Sequence, residues 1–293
     1  MRYYIKTISN QTMPIKIRLA RSAGFCFGVR RAIQLAFETA KHGRSVHMLG
    51  DIVHNEEVVR QVENAGIKKI KTLENGKNSI LIIRAHGTHP SIPRKAKSLG
   101  YTIVDATCPM VKEIHKIARE MEDKNYKIIV IGDEKHDEVR GIIGQLKGKA
   151  LVIHRIKDAI NSKFKKIKKA CVIVQSTQNI ETVLKIVDTL KLRVKELVFC
   201  NTICKPTQIR QSEIKMMASE NDCMIIIGSK KSANTKRLFE ISRSLNKCSY
   251  WVTKADDIKK EWLKGIKTVG ITAGASTPDS ATQAVIKKIR HLG

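Results

Sequence analysis

The chain has 293 residues, of which 42% are hydrophobic, and its 55 Lys and Arg against 27 Asp and Glu give a formal net charge of +28. A chain of this length can bury a substantial core, and its recurrent apolar runs exclude intrinsic disorder. No apolar run approaches the roughly 18 residues that a membrane span needs, and the first residues lack the apolar core of a secretory signal, so we expect a soluble, cytoplasmic protein.

The excess of basic residues has two interpretations. A basic chain binds nucleic acid or another polyanion when its charges form a patch. Here the basic residues are spread along the chain, and aromatic residues, which stack on unpaired bases, make up only 4% of it. The composition therefore favours solvated surface charge over nucleic acid as a partner, with RNA binding as the alternative.

Three cysteines follow strand-like runs and precede helix-like patterns, in chain order Cys26, Cys108 and Cys204. Apolar residues at helical period follow the first two. A proline stands one place after Cys108 and two places after Cys204, as suits the first turn of a helix. Each cysteine is therefore predicted where a strand passes into a helix.

Two further polar elements recur with the cysteines. The first lies on Gly-containing loops after other strand-like runs and comprises His54, His136 and Ser232. Each stands 28 residues after its cysteine, from 26 to 54, from 108 to 136 and from 204 to 232. The second element lies at strand ends and comprises His86, Ser176 and Ser276. This regularity predicts three copies of one α/β unit.

We expect an α/β fold in which three similar units form a pseudo-threefold, trefoil-like arrangement around a central site. The predicted division is an N-terminal arm at residues 1–16 and units at 17–100, 101–196 and 197–293. Ligands of open α/β sheets bind beyond the carboxyl ends of the strands, where all these polar residues are predicted. Such an arrangement brings Cys26, Cys108 and Cys204 together.

Three converging thiolates in a reducing compartment suit either zinc with a histidine as fourth ligand or a 4Fe–4S cluster with one open iron. Helix N-termini beside the sulfur atoms favour the thiolate form. The neighbouring donors suit a phosphate or diphosphate; they are His54, His86, His136, Ser232, Asn234 and Ser276. Glu138 is a candidate proton donor, because a metal and an anion act on its pKa in opposite directions.

Four cysteines have no counterpart in the repeat: Cys171, Cys200, Cys223 and Cys248. Cys171 and Cys223 flank apolar runs and are interpreted as buried strand residues. Cys200 competes with Cys204 as a ligand. We favour Cys204, because it keeps the spacing of 28 residues and precedes the helix.

At these residues the chain resembles the 4-hydroxy-3-methylbut-2-enyl diphosphate reductases, also called LytB or IspH. The resemblance rests on Gly24-Phe25-Cys26-Phe27-Gly28-Val29, His54-Asn55, Ala85-His86-Gly87, Asp105-Ala106-Thr107-Cys108-Pro109, Gln208-Ile209-Arg210-Gln211, Gly228-Ser229-Lys230 and Thr272-Ala273-Gly274-Ala275-Ser276. It runs from about Arg18 to Asp279, nearly the whole chain.

The resemblance implies the last step of the methylerythritol phosphate pathway, in which an allylic hydroxyl is removed reductively to give isopentenyl and dimethylallyl diphosphates. It implies one 4Fe–4S cluster per chain on Cys26, Cys108 and Cys204, with the fourth iron open to the substrate. It further implies diphosphate binding by the six donors above, proton delivery by Glu138 and contacts from Ser176 or Thr177 to the hydroxyl end. An electron donor such as ferredoxin or flavodoxin is the expected partner.

The chain departs from the family pattern at three places. Asp137 stands where a proline is common, Ser176 replaces a threonine, and Ala233 replaces a serine. The lost serine hydrogen bond costs about 0.5–1.5 kcal/mol, too little to abolish function. Beside the RNA-binding hypothesis, a zinc-dependent hydrolase built on the same thiolates and histidines is the alternative.

Overall fold

The computed structural model describes residues 14–160, 164 and 166–292, so residues 1–13 of the predicted arm lie outside it. The strands of this part are β1 Lys16–Leu19, β2 Ser45–Leu49, β3 Ile67–Ile70, β4 Ser79–Ile83, β5 Thr102–Asp105, β6 Lys127–Ile131, β7 Leu151–Ile153, β8 Lys169–Val174, β9 Glu196–Phe199, β10 Cys223–Ile227, β11 Ser249–Val252 and β12 Thr268–Ala273. The α-helices are α1 Phe27–Ala40, α2 Glu56–Asn64, α3 Ser91–Ser98, α4 Pro109–Asp123, α5 Asp137–Ile143, α6 Ile156–Ala159, α7 Ile180–Lys191, α8 Lys205–Glu220, α9 Ala233–Leu245 and α10 Asp279–Leu292.

The strands form three four-stranded sheets with one strand order. The orders are β3-β2-β4-β5, β7-β6-β8-β9 and β11-β10-β12-β1. Neighbouring strands are parallel throughout; Ile80 of β4, for example, lies opposite Val46 of β2 and Thr102 of β5. The predicted α/β fold of three similar units is confirmed.

Each sheet is buried on both faces. In the second sheet Ile129 and Val172 pack into one apolar cluster, and Ile128 and Cys171 pack into another on the opposite face. Since successive residues of a strand point to opposite faces, a sheet covered by helices on both sides needs apolar residues at every position. This explains the apolar run that follows Ser79 in β4 and the apolar run of β10; the residues of both strands are all buried.

The sheets group the strands differently from the sequence repeat. Strand β5 lies beyond the predicted unit limit at residue 100 and pairs in the first sheet, and β1 pairs with β12 in the last. Cys108 and Cys204 therefore follow an outer strand of the sheet that the preceding unit forms. Cys26 follows β1, an outer strand of the sheet that the third unit forms. A repeat in the sequence does not specify which sheet a strand joins, so the limits 17–100, 101–196 and 197–293 remain a prediction.

Within the described residues, no helix combines the length and the apolarity needed to cross a membrane.

Candidate active site

The three cysteines of the repeat occupy equivalent positions. Cys26, Cys108 and Cys204 are the N-cap residues of α1, α4 and α8, and none of their side chains caps its helix through a hydrogen bond. A proline lies in the first turn of α4 and of α8, as the sequence predicted. The free first-turn amides leave positive partial charge beside each sulfur atom.

All twelve site residues predicted from the sequence line one cavity. They are Cys26, His54, His86, Cys108, His136, Glu138, Ser176, Thr177, Cys204, Ser232, Asn234 and Ser276. They come from all three units and from the loops and helix starts that follow the carboxyl ends of the strands, as expected for parallel sheets. The chemical role of each residue remains a prediction.

The thiols meet at the helix starts. A Cβ atom added at Gly28 would collide with Cys108 Sγ, so only glycine allows α1 to approach this sulfur. Burial raises the pKa of Cys108 and of Cys204, whereas the nearby first-turn N–H groups, and at Cys204 also the Thr207 hydroxyl, favour the thiolate and lower the pKa. Cys204 Sγ lies 3.1 Å from Thr207 Oγ1, a contact that the residue pattern does not predict.

The three histidines form a cluster in the wall of the cavity. The ring centroids of His54 and His86 are 4.2 Å apart, and that of His136 lies 5.5 Å and 5.6 Å from them, nearly perpendicular to both rings. Burial lowers the pKa of all three histidines. The pKa of His54 is lowered, that of His86 is well below its ordinary value, and that of His136 falls to about 4. The cluster is therefore neutral near pH 7.

One hydrogen bond fixes the tautomer of His136. The backbone N–H of Glu138 donates to His136 Nδ1 over 3.2 Å, so the neutral ring carries its proton on Nε2. The nitrogen atoms of the three rings lie close enough to hold a metal ion. A ring nitrogen that carries a proton donates to an anion instead of binding a cation, so this tautomer favours phosphate over zinc at the histidines.

Glu138 is 2% exposed. Ser176 donates to it twice, from its backbone N–H to Oε1 over 2.6 Å and from its hydroxyl to Oε2 over 2.8 Å. Burial raises the pKa of Glu138, and the two Ser176 hydrogen bonds oppose this without cancelling it. A carboxyl group with a raised pKa beside a cavity is suited to deliver protons.

The third unit supplies neutral donors. Ser232 is the N-cap of α9 and accepts a hydrogen bond from the backbone N–H of Thr235 over 3.2 Å. The Nδ2 atom of Asn234 is buried without a hydrogen-bond partner in the described part of the chain, as is Nδ1 of His86. Ser276 donates to the backbone carbonyl of His54 over 3.0 Å and so joins the first and third units.

Asp137, one of the departures from the family pattern, forms an ion pair that the sequence did not suggest. Its Oδ2 atom accepts from Arg84 Nη1 over 2.8 Å and lies 4.0 Å from His54 Nε2. The pair joins the first and second units beside the histidine cluster. The carboxylate of Asp137 raises the pKa of His54, although burial still lowers it overall.

Arg210 is a second site residue to which the sequence analysis gave no role. It is 4% exposed, and its Nη2 atom donates to the backbone carbonyl of Gly24 over 2.6 Å. Its charge acts on Cys26 and Cys204. In the sequence, Arg210 stands in the segment Gln208-Ile209-Arg210-Gln211 that contributes to the family resemblance, but its contact with Gly24 depends on how the units pack.

The remaining cysteines lie elsewhere. Cys200 Sγ is 3.7 Å from Cys171 Sγ in the apolar cluster between the second sheet and its helices, outside the cavity lining. Cys171 and Cys223 are fully buried strand residues, as the sequence predicted, and Cys248 is exposed. All seven cysteines are free.

The family model of the LytB protein matches residues 17–290. The chain belongs to the LytB family. A relative from Clostridioides difficile is 40% identical over 282 residues, which are 95% of this chain and 100% of the relative. A relative from Aquifex aeolicus is 38% identical over 95% of this chain and 97% of its own length. Both are named 4-hydroxy-3-methylbut-2-enyl diphosphate reductase.

Solved structures of the LytB family share the fold. One is described as (E)-4-hydroxy-3-methyl-but-2-enyl diphosphate reductase, the terminal enzyme of the non-mevalonate pathway; it is 38% identical, with a TM-score of 0.70 over 94% of this chain and 99% of its own. The reductase from Plasmodium falciparum is 29% identical, with a TM-score of 0.86 over 94% of this chain and 88% of its own. LytB proteins are iron–sulfur enzymes.

The thiol end of the cavity fits an iron–sulfur group. Three free thiols converge there, and burial keeps the pKa of two of them, Cys108 and Cys204, above its ordinary value. Buried thiols that face one another and the cation of Arg210 are suited to exchange their protons for a soft metal.

Replacing Gly28 by alanine tests this geometry. The added Cβ atom would displace Cys108 Sγ, so we expect the iron content of protein purified without oxygen to fall severalfold. Gly148→Ala is the matched control, because its φ lies outside the left-handed region and an added Cβ atom there meets only the side-chain oxygen Oε1 of Glu122 within 4 Å. Iron is measured by a colorimetric assay. Full iron content in the Gly28→Ala variant would contradict the close approach of α1 to Cys108.

Proposed function

We propose that this chain is a 4-hydroxy-3-methylbut-2-enyl diphosphate reductase of the methylerythritol phosphate pathway, acting in the cytoplasm. The proposal depends on one observation above all: thiols, histidines and a buried carboxyl group from three units face one cavity. The names of its relatives support it. In the reaction, R–OH takes up two electrons and two protons to give R–H and water, with isopentenyl and dimethylallyl diphosphates as the products.

Cys26, Cys108 and Cys204 would hold one 4Fe–4S cluster, leaving its fourth iron without a protein ligand. When bound, the cluster supplies single electrons and a Lewis-acidic iron for the substrate hydroxyl. Arg210 beside Cys26 and Cys204 offsets part of the negative charge that three thiolates bring into the buried end of the cavity.

The diphosphate would lie against the histidines and the third unit. His136 donates from Nε2, because its Nδ1 atom accepts the Glu138 N–H. Asn234 has a buried and unpartnered Nδ2 atom, which a phosphate oxygen would satisfy. His54, His86, Ser232 and Ser276 complete the set that lines this part of the cavity. Ala233 lines it too but contributes no side-chain donor.

Glu138 would deliver protons to the hydroxyl end of the substrate. Its raised pKa lets the carboxyl group hold a proton, and the two Ser176 donors fix the position of both carboxyl oxygens. Thr177 Oγ1 accepts from Gln175 Nε2 over 3.2 Å, which orients its hydroxyl beside Ser176. Ser176 and Thr177 would contact the substrate hydroxyl.

Diphosphate binding should take up a proton at His54. Burial lowers the pKa of His54 in the free protein, while Asp137 keeps a negative charge beside it. A bound anion raises this pKa, so the complex holds a proton that the free protein lacks at pH values between the two pKa values. Affinity should fall as the pH rises through the higher pKa, and calorimetry at pH 7 in buffers of different ionisation enthalpy measures the uptake.

Variants of His54 and His136 distinguish proton uptake by His54 from protonation of the bound diphosphate itself. His54→Gln should abolish the proton uptake that accompanies the binding of inorganic diphosphate. His136→Gln should weaken binding and leave the uptake in place, because the Glu138 N–H already occupies the Nδ1 atom of His136. Equal proton uptake in wild type and His54→Gln would refute the assignment.

Anaerobic turnover tests the function as a whole. Protein purified without oxygen should be brown, contain about four irons and four sulfides per chain, and convert the hydroxylated diphosphate with a reduced viologen as electron source. A colourless protein with one tightly bound zinc and no turnover would overturn the proposal in favour of a zinc enzyme. In the cell, a ferredoxin or flavodoxin would supply the electrons.

A further inference from the structure

Large apolar side chains are exposed beside each cysteine of the site. Phe27 follows Cys26 directly and is 68% exposed, Met110 stands two places after Cys108 and is 45% exposed, and Ile209 lies on the second turn of α8 and is 48% exposed. Exposed large apolar groups that lie near one another are typical of binding surfaces.

The three helix starts that carry these side chains adjoin one another. Gly28 of α1 lies against Cys108, and Arg31 Nη1 donates to the carbonyl oxygen of Thr107 over 3.4 Å. Arg210 of α8 donates to Gly24, in the loop before α1. The starts of α4 and α8 therefore pack against the start of α1. We call Phe27, Met110 and Ile209, with the basic side chains described next, the helix-start surface.

Basic side chains accompany the apolar ones on the same helix faces. Arg30 lies one turn after Phe27, and Lys205 lies one turn before Ile209. Both are exposed, and neither has a carboxylate partner in the described part of the chain. Lys112 pairs with Asp105 over 2.6 Å.

Glu113 adds one exposed carboxylate on α4, one turn after Met110. The helix-start surface is therefore apolar with a surplus of positive charge, on a chain whose net charge is +28.

We propose that the helix-start surface docks a small acidic protein that carries single electrons. The inference builds on the proposed reductase and locates its electron donor. An apolar centre with complementary charges around it suits a transient complex, in which charge speeds encounter and the small contact allows release. The location has a physical reason, because electron transfer falls steeply with distance and Phe27 is one peptide bond from Cys26.

Turnover measured with two different electron sources distinguishes a defect in docking from a defect in the reaction itself. An acidic ferredoxin must dock, whereas a reduced viologen reaches the site by diffusion alone. For the double variant Arg30→Glu/Lys205→Glu we expect the KM for ferredoxin to rise about tenfold or more, with turnover on viologen and iron content unchanged. Ile209→Ser should raise the same KM without a change of charge, and higher ionic strength should raise it in the wild type.

Charge changes elsewhere provide the controls. Lys287→Glu, at an exposed position in the carboxyl-terminal half of α10, should leave the KM for ferredoxin unchanged. Glu113→Lys adds positive charge at the helix-start surface and should lower that KM. An unchanged KM in Arg30→Glu/Lys205→Glu, or a wild type that accepts electrons from viologen but not from ferredoxin, would overturn the docking surface. Absence of turnover on viologen would instead overturn the proposed reductase.

Discussion

Cys204→Ser should lose the iron of the purified protein, and Cys200→Ser should retain it. Cys204 is the N-cap of α8 and lines the cavity, whereas Cys200 packs against Cys171 in an apolar cluster. Serine is a hard and weakly acidic ligand that replaces a soft thiolate poorly. We expect about four irons per chain in Cys200→Ser and nearly none in Cys204→Ser when both are purified without oxygen.

The two variants are matched, because they make the same substitution four residues apart on one strand-to-helix connection. Thermal unfolding of both apo-proteins checks that neither change has disrupted the second sheet. Retention of four irons by Cys204→Ser would remove the three-thiolate centre from the proposal. Loss of iron from a folded Cys200→Ser would show that the choice between the two cysteines was wrong.

The structure also explains why the sequence located the cavity residues so well. Each unit repeats a strand, a polar loop and a helix, and parallel strands present their carboxyl ends at one edge of a sheet. The regular spacing of Cys26, Cys108 and Cys204 from the loop residues was therefore enough to predict which side chains meet. The fixed spacing covers His54, His136 and Ser232, whereas Thr177 was named only through the family resemblance.

The spacing is less informative about local detail. His54 and His136 both stand 28 residues after their cysteine, yet His136 is an N-cap whereas Asn55 caps α2 in the first unit. Asn55 accepts from the backbone N–H groups of Glu57 and Val58, and a histidine makes a poorer cap than asparagine. The first two units therefore share the position of an imidazole but not its role at the helix start.

Contacts between units could not be predicted from the sequence. The ion pair of Arg84 and Asp137 joins residues 53 positions apart, and Arg210 reaches Gly24 across 186 positions. Neither pair shows periodicity or motif spacing, since such contacts depend on how the units pack. The grouping of strands into sheets could not be predicted either. It became clear only from the structure, in which β1 pairs with β12 and β5 pairs with β4.

Glu138→Gln should lower turnover by about 10²- to 10⁴-fold while the iron content stays at the wild-type level. Glutamine has nearly the same shape, its amide oxygen can still accept the Ser176 N–H, and the Ser176 hydroxyl can accept from the new amide. The amide has no acidic proton to give to the substrate. The rate is measured anaerobically with reduced viologen, so that donor docking does not limit it. Near wild-type turnover would remove Glu138 from proton delivery.

Ser176→Ala gives the complementary result, because it changes the pKa of Glu138 without removing the carboxyl group. In the wild type the Ser176 hydroxyl donates to the ionised carboxylate of Glu138. This hydrogen bond lowers the pKa of Glu138, although burial has the larger and opposite effect. Loss of this donor should raise that pKa further. If the protonated carboxyl group is the active form, kcat/KM falls as the pH rises through this pKa, so the falling limb should move to higher pH in Ser176→Ala. A limb that moves to lower pH, or that persists unchanged in Glu138→Gln, would mean that another group supplies the proton.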